Sequence, residues 1–308
     1  MKPVADAPAS PIRRHLLKGV AFAATAAAGS AVAAESFTSS RWADTLDRML
    51  QKHFLKMSPE EVRSALERIQ RDTERIHGIK SSCSATPPPQ QVRFAQALNL
   101  AVCKGTRRCV EACVRENNCG RGGALENIRV LAMNQGSHDL ALADPYFNPP
   151  LVPEPGRHYL PVSCQQCDHP PCVQACPVQA TWKEPDGIVV IDYDWCIGCR
   201  YCAIACPYGA RHFNWGRPDI PPGDCQPRTD YLGNRPRPAG VMEKCTFCLQ
   251  RTRNGLLPAC LEACPTGARI FGNLLDPASE IRYVLEHKPV YRLKEEMGTS
   301  PGFWYFTG

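Results

Sequence analysis

The chain has 308 residues, enough for one large domain or two ordinary ones. Hydrophobic residues make up 44% and charged residues 21%, a soluble profile, but 18 cysteines are far more than an ordinary enzyme carries. The net charge of +6 does not indicate a nucleic-acid binder, because there is no basic run and half of the excess lies near the N-terminus, where Lys2, Arg13, Arg14 and Lys18 face only Asp6.

Residues 1–33 have the layout of an export signal. The pair Arg13-Arg14 precedes Leu16-Leu17-Lys18, an alanine-rich apolar run follows from Gly19, and Ala31-Val32-Ala33 closes it with small residues. The arginine pair marks the twin-arginine type, with cleavage near Ala33 or Ala34. A membrane anchor is the other reading, but about 15 apolar residues are too few to span a bilayer. The expected location is the periplasm, peripheral to the inner membrane and held there by partners.

Residues 34–86 predict a helical extension. Leu46, Met49, Leu50 and Phe54 recur at helical spacing in a first helix. A second opens with Ser58 as N-cap, Pro59 at the first helical position and Glu61 closing a capping box, and it carries Val62, Ala65, Leu66, Ile69 and Ile76 on one stripe. The pair reads as a helical hairpin that packs or docks. Ser81 to Gln90 reads as a linker, and Pro145 to Pro161 and Pro218 to Pro238 as surface loops between cysteine runs. Thr181 to Ile191, turning at Pro185-Asp186-Gly187, predicts a β-hairpin.

The chemistry lies in the cysteines. Cys196, Cys199, Cys202 and Cys206, followed by Pro207, show the spacing C-x2-C-x2-C-x3-C-P of a bacterial ferredoxin. A compact loop there reaches three irons of a cubane, and a helix near the third cysteine carries the fourth to a second cluster. Zinc sites instead use two separated pairs. Cys164, Cys167, Cys172 and Cys176 repeat the pattern with two extra residues before the third ligand, and Cys245, Cys248, Cys260 and Cys264 repeat it across a longer gap. Both runs again end in C-x3-C-P.

The first run, Cys103, Cys109 and Cys113, keeps the register but has Thr106 at the second ligand position. A hydroxyl is a poor ligand for an iron-sulphur corner, so a 3Fe-4S cluster is expected. The rival is a 4Fe-4S cluster completed by water, hydroxide or a displaced thiol such as Cys119 or Cys83. Cys83 and Cys225 otherwise read as surface thiols, free or disulphide-linked. His169 and His212 fit surface or hydrogen-bonding roles better than ligation.

With these runs the chain resembles the four-cluster iron-sulphur subunits of dimethyl-sulphoxide-reductase and polysulphide-reductase type, also found in hydrogenase 2, Dsr and alternative complex III assemblies. The resemblance covers about residues 92 to 305, including Glu116-Asn117-Asn118 and Gly272 to Pro277. It implies an α+β fold: two ferredoxin-like dicluster modules within residues 90–275, runs 1 and 4 pairing in one and runs 2 and 3 in the other, beside the N-terminal helical hairpin, long Pro-rich loops and a tail at 276–308. Carried over residue by residue, Cys103, Cys109 and Cys264 hold the exceptional cluster, and Cys245, Cys248, Cys260 and Cys113 its neighbour. Cys164, Cys167, Cys172 and Cys206 hold the third, and Cys196, Cys199, Cys202 and Cys176 the fourth.

Four one-electron centres make a relay rather than a catalytic site, and no P-loop, Rossmann fingerprint or Ser-His-Asp set is present. The expectation is an electron-transfer subunit, non-catalytic on its own, with three 4Fe-4S clusters and one 3Fe-4S cluster. Its implied partners are an NrfD/PsrC-type integral membrane quinone subunit and a molybdopterin enzyme, hydrogenase or multihaem cytochrome c. An alternative-complex-III-like or cytochrome-c-linked complex, or a mainly structural or assembly role, stays open.

Overall fold

A computed structural model describes residues 57–122, 125–137, 139–144, 152–221 and 223–308. These lie within one compact unit, His53–Gly308. The signal, the first helix of the hairpin and residues 145–151 fall outside the described residues.

Helix α1 is Pro59–His77, and its start is as the sequence requires: Ser58 Oγ accepts from the Glu61 amide while the Glu61 carboxylate accepts from the Ser58 amide at 2.7 Å. Ala65 and Ile69 turn its apolar stripe inward. Strand β1, Ser82–Ser84, follows, then β2, Phe94–Asn99, and helix α2, Arg108–Glu116. Next come β3, Arg129–Asn134, and β4, Arg157–Val162, then helix α3, Pro171–Gln174. Strands β5, Thr181–Lys183, and β6, Val189–Ile191, form the predicted antiparallel hairpin. Helix α4 is Tyr201–Ile204, followed by β7, His212–Phe213, β8, Arg228–Asp230, and β9, Met242–Glu243. Helices α5, Leu249–Thr252, and α6, Ala259–Glu262, precede β10, Arg269–Asn273. Helix α7, Glu280–His287, and strands β11, Val290–Tyr291, and β12, Phe303–Phe306, complete the chain.

The order β10-β2-β12-β11 makes the one four-stranded sheet among the described residues. Strand β12 joins β2 in parallel, Trp304 opposite Ala97, so the sheet runs across position 275 into the C-terminal segment. Phe303 and Tyr305 are fully buried in the main core with Leu98, Ile188 and Phe247. The helix of run 1, α2, packs on α6 of run 4, and α3 of run 2 packs on α4 of run 3.

Three sequence expectations need correction. Ser81 to Gln90 is not a free linker: β1 pairs in parallel with β8, and the Thr86 amide donates to Asp230 at 2.9 Å. The end of the loop Pro145 to Pro161 is strand β4, paired along its length with β3; Pro161 is accommodated because β3 and β4 form a two-stranded sheet with edges on both sides. Within Pro218 to Pro238, Arg235 and Arg237 are buried, Arg235 against Asp194 and Arg237 against Glu243. Pairing and buried charge override what local proline content suggests.

Candidate iron-sulphur site

The four cysteine runs share one backbone device. The residue before the second ligand position is left-handed in each: Gly105 (φ 69°), Gln166 (φ 46°), Gly198 (φ 70°) and Phe247 (φ 52°). Such a residue curls the loop so that successive side chains point to one centre. Runs 1 and 3 match further, since Arg107 (φ 57°) and Arg200 (φ 67°) are left-handed helix caps at the same offset. Thr106 therefore occupies in run 1 the conformational place of Cys199 in run 3. The glycines are required by close approach: a Cβ on Gly198 would lie 2.1 Å from the Gly240 carbonyl oxygen, and one on Gly105 2.4 Å from the Tyr159 ring.

Two hollows are rimmed by cysteine. One is lined by Cys103, Thr106, Cys109, Cys264 and Arg269, the other by Cys176, Cys196, Cys199, Cys202 and Arg211. Elsewhere Cys113 lies among Cys248, Cys245, Cys119 and Cys260, and Cys167 among Cys164, Cys172 and Cys206. The structure thus brings together cysteines that lie far apart in the sequence. No three His, Cys, Asp or Glu among the described residues are arranged to hold a single metal ion.

Burial dominates the electrostatics. It pushes the Cys167 thiol up to about 12, helped by Cys164, and the Cys245 thiol up to about 12, helped by Cys260. Cys264 goes the other way: burial raises it, but hydrogen bonds from the Thr266 hydroxyl and the Thr266 and Ala268 amides outweigh that. Crowded buried thiolates need a cationic core, which iron supplies. The residues fit such a group in a second respect. Arg211 is buried beside the second hollow, and its Nε and Nη1 have no hydrogen-bond partner among the described residues, leaving donors for acceptors such as cluster sulphides.

Other candidates are placed differently. Cys119 is buried against Glu243 at 3.9 Å and accepts from Asn127 at 3.7 Å, and burial and Glu243 push its thiol up to about 12. Neither it nor Cys83 lines the hollow at Thr106. Cys83 and Cys225 are buried, not surface thiols as expected, because β1 and the 218–238 segment pack inward. His169 is exposed, and His212 stands on β7. Sequence reasoning missed Arg211 and Arg269, although the repeated hexapeptides Cys206 to Arg211 and Cys264 to Arg269 announce them. Lys244, fully buried with its Nζ on the Cys245 carbonyl at 2.8 Å, was missed too.

A 4Fe-4S dicluster domain matches residues 156–230 and 232–274. A Halobacterium salinarum protein, provisionally named as the iron-sulfur subunit of a dimethyl sulfoxide reductase, is 42% identical over 212 residues, covering 67% of this chain and 76% of its own length. The chain belongs to the iron-sulphur subunits of dimethyl-sulphoxide-reductase and polysulphide-reductase type. The iron-sulphur subunit is also 42% identical to the Hdr-like menaquinol oxidoreductase iron-sulfur subunit 1 of Archaeoglobus fulgidus, over 64% of this chain and 71% of that one. It is 35% identical to Protein NrfC of Escherichia coli, over 68% and 78%. Its function is electron transfer within a reductase complex, with iron-sulphur clusters as cofactors. Among its described residues no helix is long and apolar enough to cross a membrane.

Proposed function

We propose that this subunit is exported by the twin-arginine route and relays single electrons, at the periplasmic face, between an NrfD/PsrC-type membrane quinone subunit and a second redox protein. The order of signal-like segments at residues 1–33 supports export, and the menaquinol oxidoreductase named among the relatives supports the quinone link. The second protein is a molybdopterin enzyme, hydrogenase or multihaem cytochrome c. Bound clusters supply one-electron centres whose potentials follow cluster type, charge and hydrogen bonding.

In this reading Cys245, Cys248, Cys260 and Cys113 hold one 4Fe-4S cluster. Cys164, Cys167, Cys172 and Cys206 hold a second, and Cys196, Cys199, Cys202 and Cys176 a third. Cys103, Cys109 and Cys264 hold a 3Fe-4S cluster. The observation that carries this last assignment is Thr106 in the place of Cys199, with no spare thiol lining that hollow.

The test is purification of the native complex in mild detergent, with subunit identification, iron analysis and electron paramagnetic resonance of the oxidised sample. Expected are a membrane quinone subunit, a redox partner and one three-iron signal. A sample with four four-iron clusters defeats the three-iron assignment; a complex without a quinone subunit defeats the proposed placement.

A further inference from the structure

The hexapeptides Cys206-Pro207-Tyr208-Gly209-Ala210-Arg211 and Cys264-Pro265-Thr266-Gly267-Ala268-Arg269 share five of six residues. They share a backbone as well. Gly209 (φ 56°) and Gly267 (φ 61°) are left-handed, and each donates its amide to the cysteine carbonyl, at 3.2 and 3.4 Å. The turn delivers each arginine to the same place in its own group of runs, and each is only 5% exposed.

Each guanidinium also acts electrostatically on sulphurs of two sets. Arg211 lines the hollow of Cys176, Cys196, Cys199 and Cys202, yet its Nη2 donates to Cys172 Sγ of the neighbouring set at 3.0 Å. Arg269 lines the hollow of Cys103, Cys109 and Cys264, with Nη2 3.6 Å from Cys109 Sγ, and Cys260 of the next set is among its strongest electrostatic partners. The third turn of this kind, Cys176 to Thr181, repeats the bend with Gln179 (φ 52°) but ends in threonine. Thr181 Oγ1 accepts from Arg211 at 2.9 Å, so one arginine serves both runs.

We propose that Arg211 and Arg269 are paired tuning residues, each the shared counter-charge of the two clusters in its module, raising both reduction potentials and easing the repulsion between electrons held side by side. Guanidinium suits this place because it stays charged when buried and presents several donors in one plane. A buried cation near a centre that gains an electron stabilises the reduced form, and the low local dielectric enlarges the effect. The proposal rests on the reading that the sulphur sets hold clusters.

The test is an anaerobic redox titration of the purified complex, followed by electron paramagnetic resonance, with iron and sulphide measured on the same samples. In R211Q the clusters of the Cys164 and Cys196 sets should become harder to reduce by at least about tenfold, 59 mV for one electron, while the other pair holds. R269Q should do the converse. Should R211Q lose its iron, R211K decides, because a point ammonium cannot serve both sets and the two potentials of that module should separate. Unshifted potentials in R211Q at full iron content, in R211K if it is the variant read, or an equal shift at all clusters, overturn the proposal. Too little iron in the wild type defeats the cluster reading instead.

Discussion

Arg253 and Asp186 form an ion pair of 2.8 Å in which neither side chain is more than 1% exposed. Asp186 sits in the turn between β5 and β6, and Arg253 follows α5 just after Cys248. Arg253 Nη1 also donates to the Thr86 carbonyl, and the Asp186 carbonyl accepts from Phe94 of β2. One contact therefore ties run 4, the β5-β6 hairpin, the central sheet and the 81–90 segment. Removing Arg253 strands the buried Asp186 carboxylate, so R253A should cost about 3–5 kcal/mol; D186A should cost less, because Glu184 stays 3.6 Å from Arg253, and the double variant less than the sum. Anaerobic urea titration of the three variants checks this.

Restoring cysteine at position 106 should complete a fourth corner, since the loop already has the shape of run 3. T106C is expected to add one iron per chain, abolish the three-iron signal and lower that centre's potential. Unchanged iron content contradicts it.

C119A should keep its full iron content. Its thiol faces Glu243 and Asn127 rather than the hollow at Thr106, so the only expected loss is packing, on the order of 1–3 kcal/mol. Iron analysis beside a stability measurement separates the two effects.

G198A brings a Cβ to 2.1 Å from a backbone oxygen at a left-handed residue. Left-handed strain alone costs roughly 1–2 kcal/mol, and Gly240 lies on another chain segment that must shift. The expected result is loss of iron from the Cys196 set, whereas G216A, with nothing within 4 Å of its Cβ, should be neutral.

His212 gives a pH dependence. Burial first, then the charge of Arg129, lower its pKa from 6.5 to about 4. Between those values the unfolded chain binds the proton and the native chain does not, so stability is lost as pH falls through that window, by up to about 3 kcal/mol. Urea midpoints at pH 7 and pH 5 should fall further in wild type than in H212Q; equal falls contradict the assignment.

Much of the site was legible in the sequence because loop geometry around a cluster is local. The spacing from Cys196 to Cys206, the gap at Thr106, the Ser58 capping box and the hairpin at Thr181 each depend on neighbours within about a dozen residues. Arg211 and Arg269 were legible too, as a repeated hexapeptide, but their meaning needed the sulphurs that surround them.

What the tertiary structure alone decided is long-range. The burial of Cys83 and Cys225, the pairing of β1 with β8, the seat of β12 beside β2 and the exclusion of Cys119 from the lining at Thr106 all depend on residues far apart in the chain. By itself the sequence determined which residues are suited to bind iron and that position 106 carries threonine where the repeated pattern has cysteine, because spacing and side-chain chemistry suffice for that. Which buried charges stand between the sulphur sets was left to packing, because a desolvated arginine is stable only where distant segments bring it a partner.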